Sequence, residues 1–396
     1  MDEGARVKNT GLRGVTVADT KISYIDGDNG VLMYRGYRIE DLAKNASFTE
    51  VAYLLLYGTL PARAELESFN RQIVEFRKLP DFVFECLRRL PKEADPMDVL
   101  QASIPLLAMV DPDIHDETRE ANVRMATRLI ARLPVVVAAW HRIRNGREVP
   151  ASDDNLSHAA NFLYQLHGVK PDEDVARDLD VCLVLHADHT FNASTFACRE
   201  VVSTKAHMYA GVAAGVGALS GSLHGGANAR VMKMLFELEK ATESGEDVAA
   251  WVKARIEQGK KIMGMGHAVY KTFDPRSVIL KEMSSRLGKK YGEERWYRWL
   301  TQIEAAALEE FEKKGKTNIK SNVDFYSGSA YYLMRIPADM MTPIFAISRI
   351  SGWCSHIIEE KFAEAQAKPA LYRPSAEYIG DYCGEIGCVF KPIEAR

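Results

Sequence analysis

The chain has 396 residues, 47% hydrophobic and 27% charged, with 51 Lys and Arg against 54 Asp and Glu and a formal charge of −3. That length exceeds one ordinary core and predicts two domains, and the missing basic excess excludes a broad nucleic-acid surface. No apolar run reaches the ~20 residues needed to span a bilayer, and the opening MDEGARVKNTG lacks the apolar core of a signal peptide, so the expectation is a cytoplasmic protein with no membrane partner.

Near the start, Arg13 to Tyr34 alternates apolar and polar residues around an Asp28-Asn29-Gly30 turn, which predicts a small antiparallel β meander. Beyond Arg38 the pattern turns helical. Ser47 and Glu50 form a capping-box pair opening FTEVAYLLLYG, closed by Gly58 and Pro61. Helical spacing continues over Leu66 to Leu79, over Asp116 to Arg144 with a break or kink expected at Pro134, and over Asp172 to Leu185 and Ala193 to Leu219. The last stretch is rich in Gly and Ala, which fits a core helix and a helix–helix subunit interface equally well.

From Asn228 to Lys316 the chain is more charged, with short amphipathic helices at Val248 to Gln258 and Glu294 to Lys313, bracketed by glycines at 221–226 and Gly328. The reading is a mainly α, two-domain fold: 1–226 as the first part of a large helical domain, 227–330 as a smaller inserted domain, and 331–396 as the rest of the large one. A strong helix is expected over Pro343 to Ala367 and a loop-like tail from Lys368. The six cysteines, Cys86, Cys182, Cys198, Cys354, Cys383 and Cys388, form no C-x-x-C pair. Free thiols are expected, although Cys383 and Cys388 are near enough to bridge.

Four neighbourhoods offer chemistry. His186-Ala187-Asp188-His189 precedes Asn192-Ala193-Ser194-Thr195 and suits either a metal site or a helix junction in which Asp188 caps and the histidines bond carbonyls. His224, in GSLHGGAN, stands before a helix whose positive end favours a neutral imidazole; otherwise it caps a loop. His267, in GMGHAVYK, has free glycine N–H groups before it and Lys271 and Arg276 after it, which suits an anion site with a histidine donor; the alternative is a solvated basic turn. Asp324, in NVDFYSG, lies among apolar and aromatic residues, so it is either a desolvated base or a helix N-cap. Arg349, on the apolar run PIFAISRISGWCSHIIEE, needs an anionic partner, either a bound carboxylate or an internal acid.

HADHTFNAST, GSLHGGANARV, GMGHAVYKTFDPR, NVDFYSG, SRISGWCSHIIEE and LYRP occur in one order that resembles the citrate synthase family over nearly the whole chain, and the N-terminal GLRGVTVADTKISYIDGDNGVLMYRGYRIEDLA is similar too. The resemblance implies a homodimer with shared active sites, acetyl-CoA and oxaloacetate as substrates, and neither metal nor redox cofactor. It implies that Asp324 is the base, with His224 and His267 as donors to the thioester and keto carbonyls. Arg276, Arg349, His189, Asn192 and, from the neighbouring subunit, Arg373 would hold oxaloacetate. CoA would lie against Met263, Gly264, Met265, Gly266, Lys271 and Lys320. The chain lacks the longer N-terminal β domain of the large NADH-regulated members, so a simple dimer is expected. The alternatives are a 2-methylcitrate synthase using propionyl-CoA, a metal-dependent hydrolase built on the HADH cluster, and a non-catalytic relative that binds CoA or a protein.

Overall fold

The structure, a computed structural model, describes residues 11–12, 14–243, 247–380 and 387–396. The residues that raised the signal-peptide question, 1–10, lie outside it, as do Arg13 and Cys383.

Three strands, β1 (Ser23–Asp26), β2 (Val31–Tyr34) and β3 (Tyr37–Arg38), form an antiparallel sheet in chain order. Ser23 faces Tyr34 and Ile25 faces Leu32 in the first pair. The meander therefore begins later than its alternation suggested: residues 15–20 belong to no strand.

Sixteen α-helices follow among the described residues. The first ten are α1 (Ile39–Asn45), α2 (Phe48–Tyr57), α3 (Arg63–Phe76), α4 (Asp81–Arg89), α5 (Pro96–Ala108), α6 (Arg119–Arg144), α7 (His158–His167), α8 (Glu173–His186), α9 (Ala193–Ser203) and α10 (Met208–Ser220). Then come α11 (Ala227–Glu243), α12 (Val248–Glu257), α13 (Pro275–Tyr291), α14 (Arg295–Lys313), α15 (Val323–Leu333) and α16 (Met341–Lys361). The Ser47–Glu50 capping box opens α2, and Gly58 closes it in the left-handed conformation.

Two helix boundaries differ from expectation. Of the break or kink expected at Pro134, the break does not occur: α6 is one continuous helix there, because that stretch is buried and packed on α7 and α16, and tertiary burial outweighs one missing N–H. Conversely, Ala193 to Leu219 is two helices. The chain turns at Lys205, whose φ is 66°, and the His207 side chain caps α10 by accepting from Ala210 N–H. The small residues of α10 are partly explained within the chain: Gly211 faces Val202 and Ile357, and Gly215 faces Cys198 and Trp353. Ala210, Ala213, Ala214 and Gly217 stay half-buried.

Helix α16 is the central strut, packing on α2, α6, α8, α9 and α10. Helices α11 to α15 pack largely on one another, with α15 between α11 and α13. The active-site candidates thus come from turns at the ends of α8, α10 and α15, from the loop before α13, and from the middle of α16. Cys86, Cys182, Cys198 and Cys354 are free thiols as expected, but Cys388 is disulfide-bonded.

Candidate active site

The turn after α8 is held by a buried polar network. His186 uses Nδ1 to reach the Cys182 carbonyl at 2.7 Å, the helix-junction role rather than a ligand's. Asp188 does not cap a helix. Its Oδ2 accepts from the Ser23 hydroxyl (2.5 Å) and Thr190 N–H (3.1 Å), and lies 3.4 Å from His356 Nε2. Arg199 Nη1 can only donate, and it points at His356 Nδ1 (3.2 Å), so the His356 proton sits on Nε2, facing Asp188. Arg199 is itself fully buried between Glu359 and Glu360, 2.7 Å from each. This frame fixes His189, whose Nε2 lies 3.3 Å from the Tyr270 hydroxyl. Burial and the Arg276 charge hold its pKa well below the ordinary histidine value. Asn192 caps α9: Oδ1 accepts from Thr195 N–H and the Ser194 hydroxyl, while Nδ2 donates to Thr195 Oγ1. Both ends of its amide are thus engaged by the protein.

His224 stands three residues before α11. Ser194 N–H donates to its Nε2 at 3.1 Å, so that nitrogen carries no proton and Nδ1–H is the free donor. Ser194 is in turn held by Trp353 Nε1 at 3.2 Å. The His224 pKa is lowered to about 4, by burial first and by the Arg349 charge second. The neutral imidazole foreseen from a helix dipole is therefore obtained by desolvation instead.

His267 is fixed in the complementary way. Val269 and Tyr270 N–H groups both point at Nδ1, at 3.0 and 3.2 Å, leaving Nε2–H as the donor. Its pKa is lowered to about 4, mainly by burial, with Arg276 adding to the effect. The rings of His189 and His267 lie 5.2 Å apart, and Tyr270 packs beside both.

Asp324 is in the first turn of α15 but does not cap it. Asn322 is the N-cap, accepting from Asp324 N–H at 2.9 Å. No group among the described residues hydrogen-bonds the Asp324 carboxylate, and burial raises its pKa to about 6 against the opposing Arg276 charge. The helix start is locked to the histidine loop: Gly266 N–H donates to Lys320 O (2.7 Å) and Asn322 N–H to Gly264 O (2.9 Å). Gly264 has φ +77°, and a Cβ there would come within 2.8 Å of the Phe325 backbone, so only glycine lets the two segments meet.

Of the arginines, Arg349 is the open one. Its Nε donates to the His186 carbonyl at 2.8 Å and it stacks on Phe345, but its Nη groups make no hydrogen bond among the described residues. It is 1% exposed, and burial lowers its pKa to about 10. Arg276 is instead gripped by Asp274 through Nε (2.9 Å) and Nη2 (2.7 Å). Arg373 is exposed and makes no described contact with the site of its own chain. The loop at 263–266 uses much of its backbone in pairing with 320–322, Lys271 pairs with Asp28 at 2.8 Å, and Lys320 lies 5.5 Å above the Phe273 ring.

The charge of Arg349 reaches His189, His224 and Asp324, and that of Arg276 reaches His189, His267 and Asp324, so these groups share one electrostatic field. Among the described residues, no group of three or more His, Cys, Asp or Glu is arranged to hold a metal. A cavity of about 820 Å³ lies elsewhere, lined by Arg77, Phe84, Val135 and Arg147, and none of these histidines borders it. Ser194 and Tyr270 lay inside recognisable runs, but no local signal marked them as the residues that orient His224 and His189.

A family profile described as citrate synthase, C-terminal domain, matches residues 11–375. The chain belongs to the citrate synthase family. It is 43% identical to a citrate synthase of Haloferax volcanii over 98% of both chains. It is also 37% identical to a 2-methylcitrate synthase of Shewanella oneidensis, over 96% of this chain and 97% of the other. The solved citrate synthase of Thermoplasma acidophilum, a ternary complex with carboxymethyl coenzyme A and oxaloacetate, superposes with a TM-score of 0.87 at 32% identity, covering 97% of this chain and 98% of that one. As a citrate synthase-type protein the chain is an acyltransferase with the mainly helical fold of its relatives. No helix among its described residues is long and apolar enough to cross a membrane.

Proposed function

We propose that this acyltransferase condenses acetyl-CoA with oxaloacetate to give citrate and CoA. Asp324 takes a proton from the acetyl methyl group while His224 Nδ1–H donates to the thioester oxygen, giving the enol. The enol carbon attacks the keto carbon of oxaloacetate, whose oxygen receives the His267 Nε2 proton as the C–C bond forms, while the enol O–H proton returns to His224 Nδ1 as the thioester carbonyl re-forms; the proton held by Asp324 then restores His267 through solvent. Water then cleaves the thioester of citryl-CoA, releasing the CoA thiol and the new carboxylate.

The observation that carries this reading is Asp324: a half-buried, desolvated carboxylate with no hydrogen bond among the described residues, set in one field with two imidazoles whose backbone donors leave one N–H free on each. Substrate carboxylates find Arg349, whose Nη groups have no hydrogen bond among the described residues, Arg276 and His189, with Arg373 supplied across a homodimer. The half-buried small face of α10 is the surface we assign to that dimer. CoA lies along 263–266 with Lys320 and Lys271 toward its phosphates; Lys271 must exchange Asp28 for phosphate to take part. Residues 227–330 close over the pair and exclude water. No metal or redox cofactor enters these steps.

A purified sample should release thiol from acetyl-CoA only when oxaloacetate is present, and a chelator should leave the rate unchanged. The kcat/KM for acetyl-CoA should exceed that for propionyl-CoA by at least about tenfold, the scale of one methylene in a fitted pocket. The Shewanella relative keeps the second reading open, and a ratio of one or below would assign the chain as a 2-methylcitrate synthase.

The pH profile follows from the base. With Asp324 at about 6, kcat/KM should fall about tenfold per unit below that pH as the carboxylate protonates. Both catalytic histidines, at about 4, stay neutral across this limb. An acid limb centred near 4 would take the role of base away from Asp324.

A further inference from the structure

The N-terminal meander touches both histidines' supports, at opposite ends. At its base, the Ser23 hydroxyl donates to Asp188 Oδ2 (2.5 Å) and accepts from Thr190 N–H (3.1 Å). Beside it, the Tyr34 hydroxyl donates to the Asp188 carbonyl (2.9 Å) and accepts from Asp188 N–H (3.2 Å). These four bonds bracket the peptide that carries His189.

At its tip, the Gly27 carbonyl accepts from Lys271 N–H at 2.9 Å. A Cβ on Gly27 would collide with the Val269 carbonyl, and one on Gly30 would come within 2.9 Å of the Phe273 carbonyl. The tip itself is stiffened by Asp26, which accepts from Asp28 N–H, Asn29 N–H and Asn29 Nδ2 at 3.1, 3.0 and 2.7 Å. The segment it grips, 269–271, includes the two N–H groups that fix the His267 tautomer. The exposed Lys271–Asp28 pair adds little beyond the backbone contact.

From these contacts we infer that the meander is a clamp spanning the two halves of the keto-acid pocket, setting the His189–His267 spacing, with Gly27 as its positioning residue. Gly27 touches no substrate; it acts through the Val269–Lys271 backbone on His267. The inference rests on the proposed role of His267 at the keto carbonyl.

The test is Gly27→Ala in the full chain. The added methyl must push the tip off 269–271. The expected result is a rise of about tenfold in KM for oxaloacetate, well above any change in KM for acetyl-CoA, which the Lys271 side chain touches only at the CoA phosphates. The infrared carbonyl stretch of bound oxaloacetate should move back toward its value in water, because a misplaced Nε2–H polarises it less. A general packing defect would not produce that spectral change. Asp26→Ala loosens the same tip from the exposed side, where the core is untouched, and should give the same split at about threefold; it decides the matter where Gly27→Ala does not fold. Parent-like oxaloacetate KM and carbonyl frequency in the folded variants overturn the clamp. A parent protein that releases no thiol with oxaloacetate and acetyl-CoA would instead overturn the proposed reaction.

Discussion

Asp324→Asn should lower kcat by about 10²–10⁴, the range associated with one positioned general base, while oxaloacetate still binds. Asparagine keeps the shape and loses the basicity, and Asn322 rather than Asp324 caps α15, so the helix start is retained. The same substitution should make the protein more stable. The wild-type carboxyl is raised from 3.8 to about 6 by burial, so the folded state holds its proton more tightly than the unfolded chain. Below about 3.8 both states are protonated and the residue is neutral to stability; above about 6 folding must keep a desolvated charge. A shift of that size is on the order of 3 kcal/mol against folding at pH 8, falling to about 0.5 kcal/mol at pH 4. Denaturation of both proteins at the two pH values checks this. Near-normal turnover in Asp324→Asn, or a variant less stable than the parent at pH 8, would contradict the assignment.

His224→Asn should cost about 10²–10³ in kcat, the scale of one lost donor to a developing oxyanion. Its effect should fall on acetyl-CoA activation: exchange of the acetyl methyl protons with solvent slows in step with turnover, while the carbonyl stretch of bound oxaloacetate stays as in the parent. Base and donor act on one proton transfer, so the double variant with Asp324→Asn should be much less impaired than the product of the single effects. Multiplicative losses would mean that the two residues serve separate steps.

Local chemistry made much of this legible. Ser47 with Glu50 announced α2, and the four histidine and aspartate runs are where the polar groups gather. What could not be read depends on contacts across the fold. Pro134 looked like a break because its missing N–H is local, whereas the packing that keeps α6 whole is not. The turn at Lys205 was hidden because His207 is an unusual cap. Asp324 and Asn322 are both capping residue types two positions apart, and only the backbone decides which one caps. Nothing near Gly27 points to Val269, some 240 positions away, so the meander reads as an appendage until the two are seen in contact.

The buried cation in the middle of α16 has a consequence beyond the reaction. Arg349 has given up its hydration and received only one carbonyl and one ring in exchange. A dicarboxylate seated there, as we propose, would supply the missing partner, and ligand at a hundred times its dissociation constant adds about 2.7 kcal/mol to the folded state. On that proposal, the melting temperature should rise with added oxaloacetate in the parent and much less in Arg349→Ala, so the ligand would also set how long the chain stays folded.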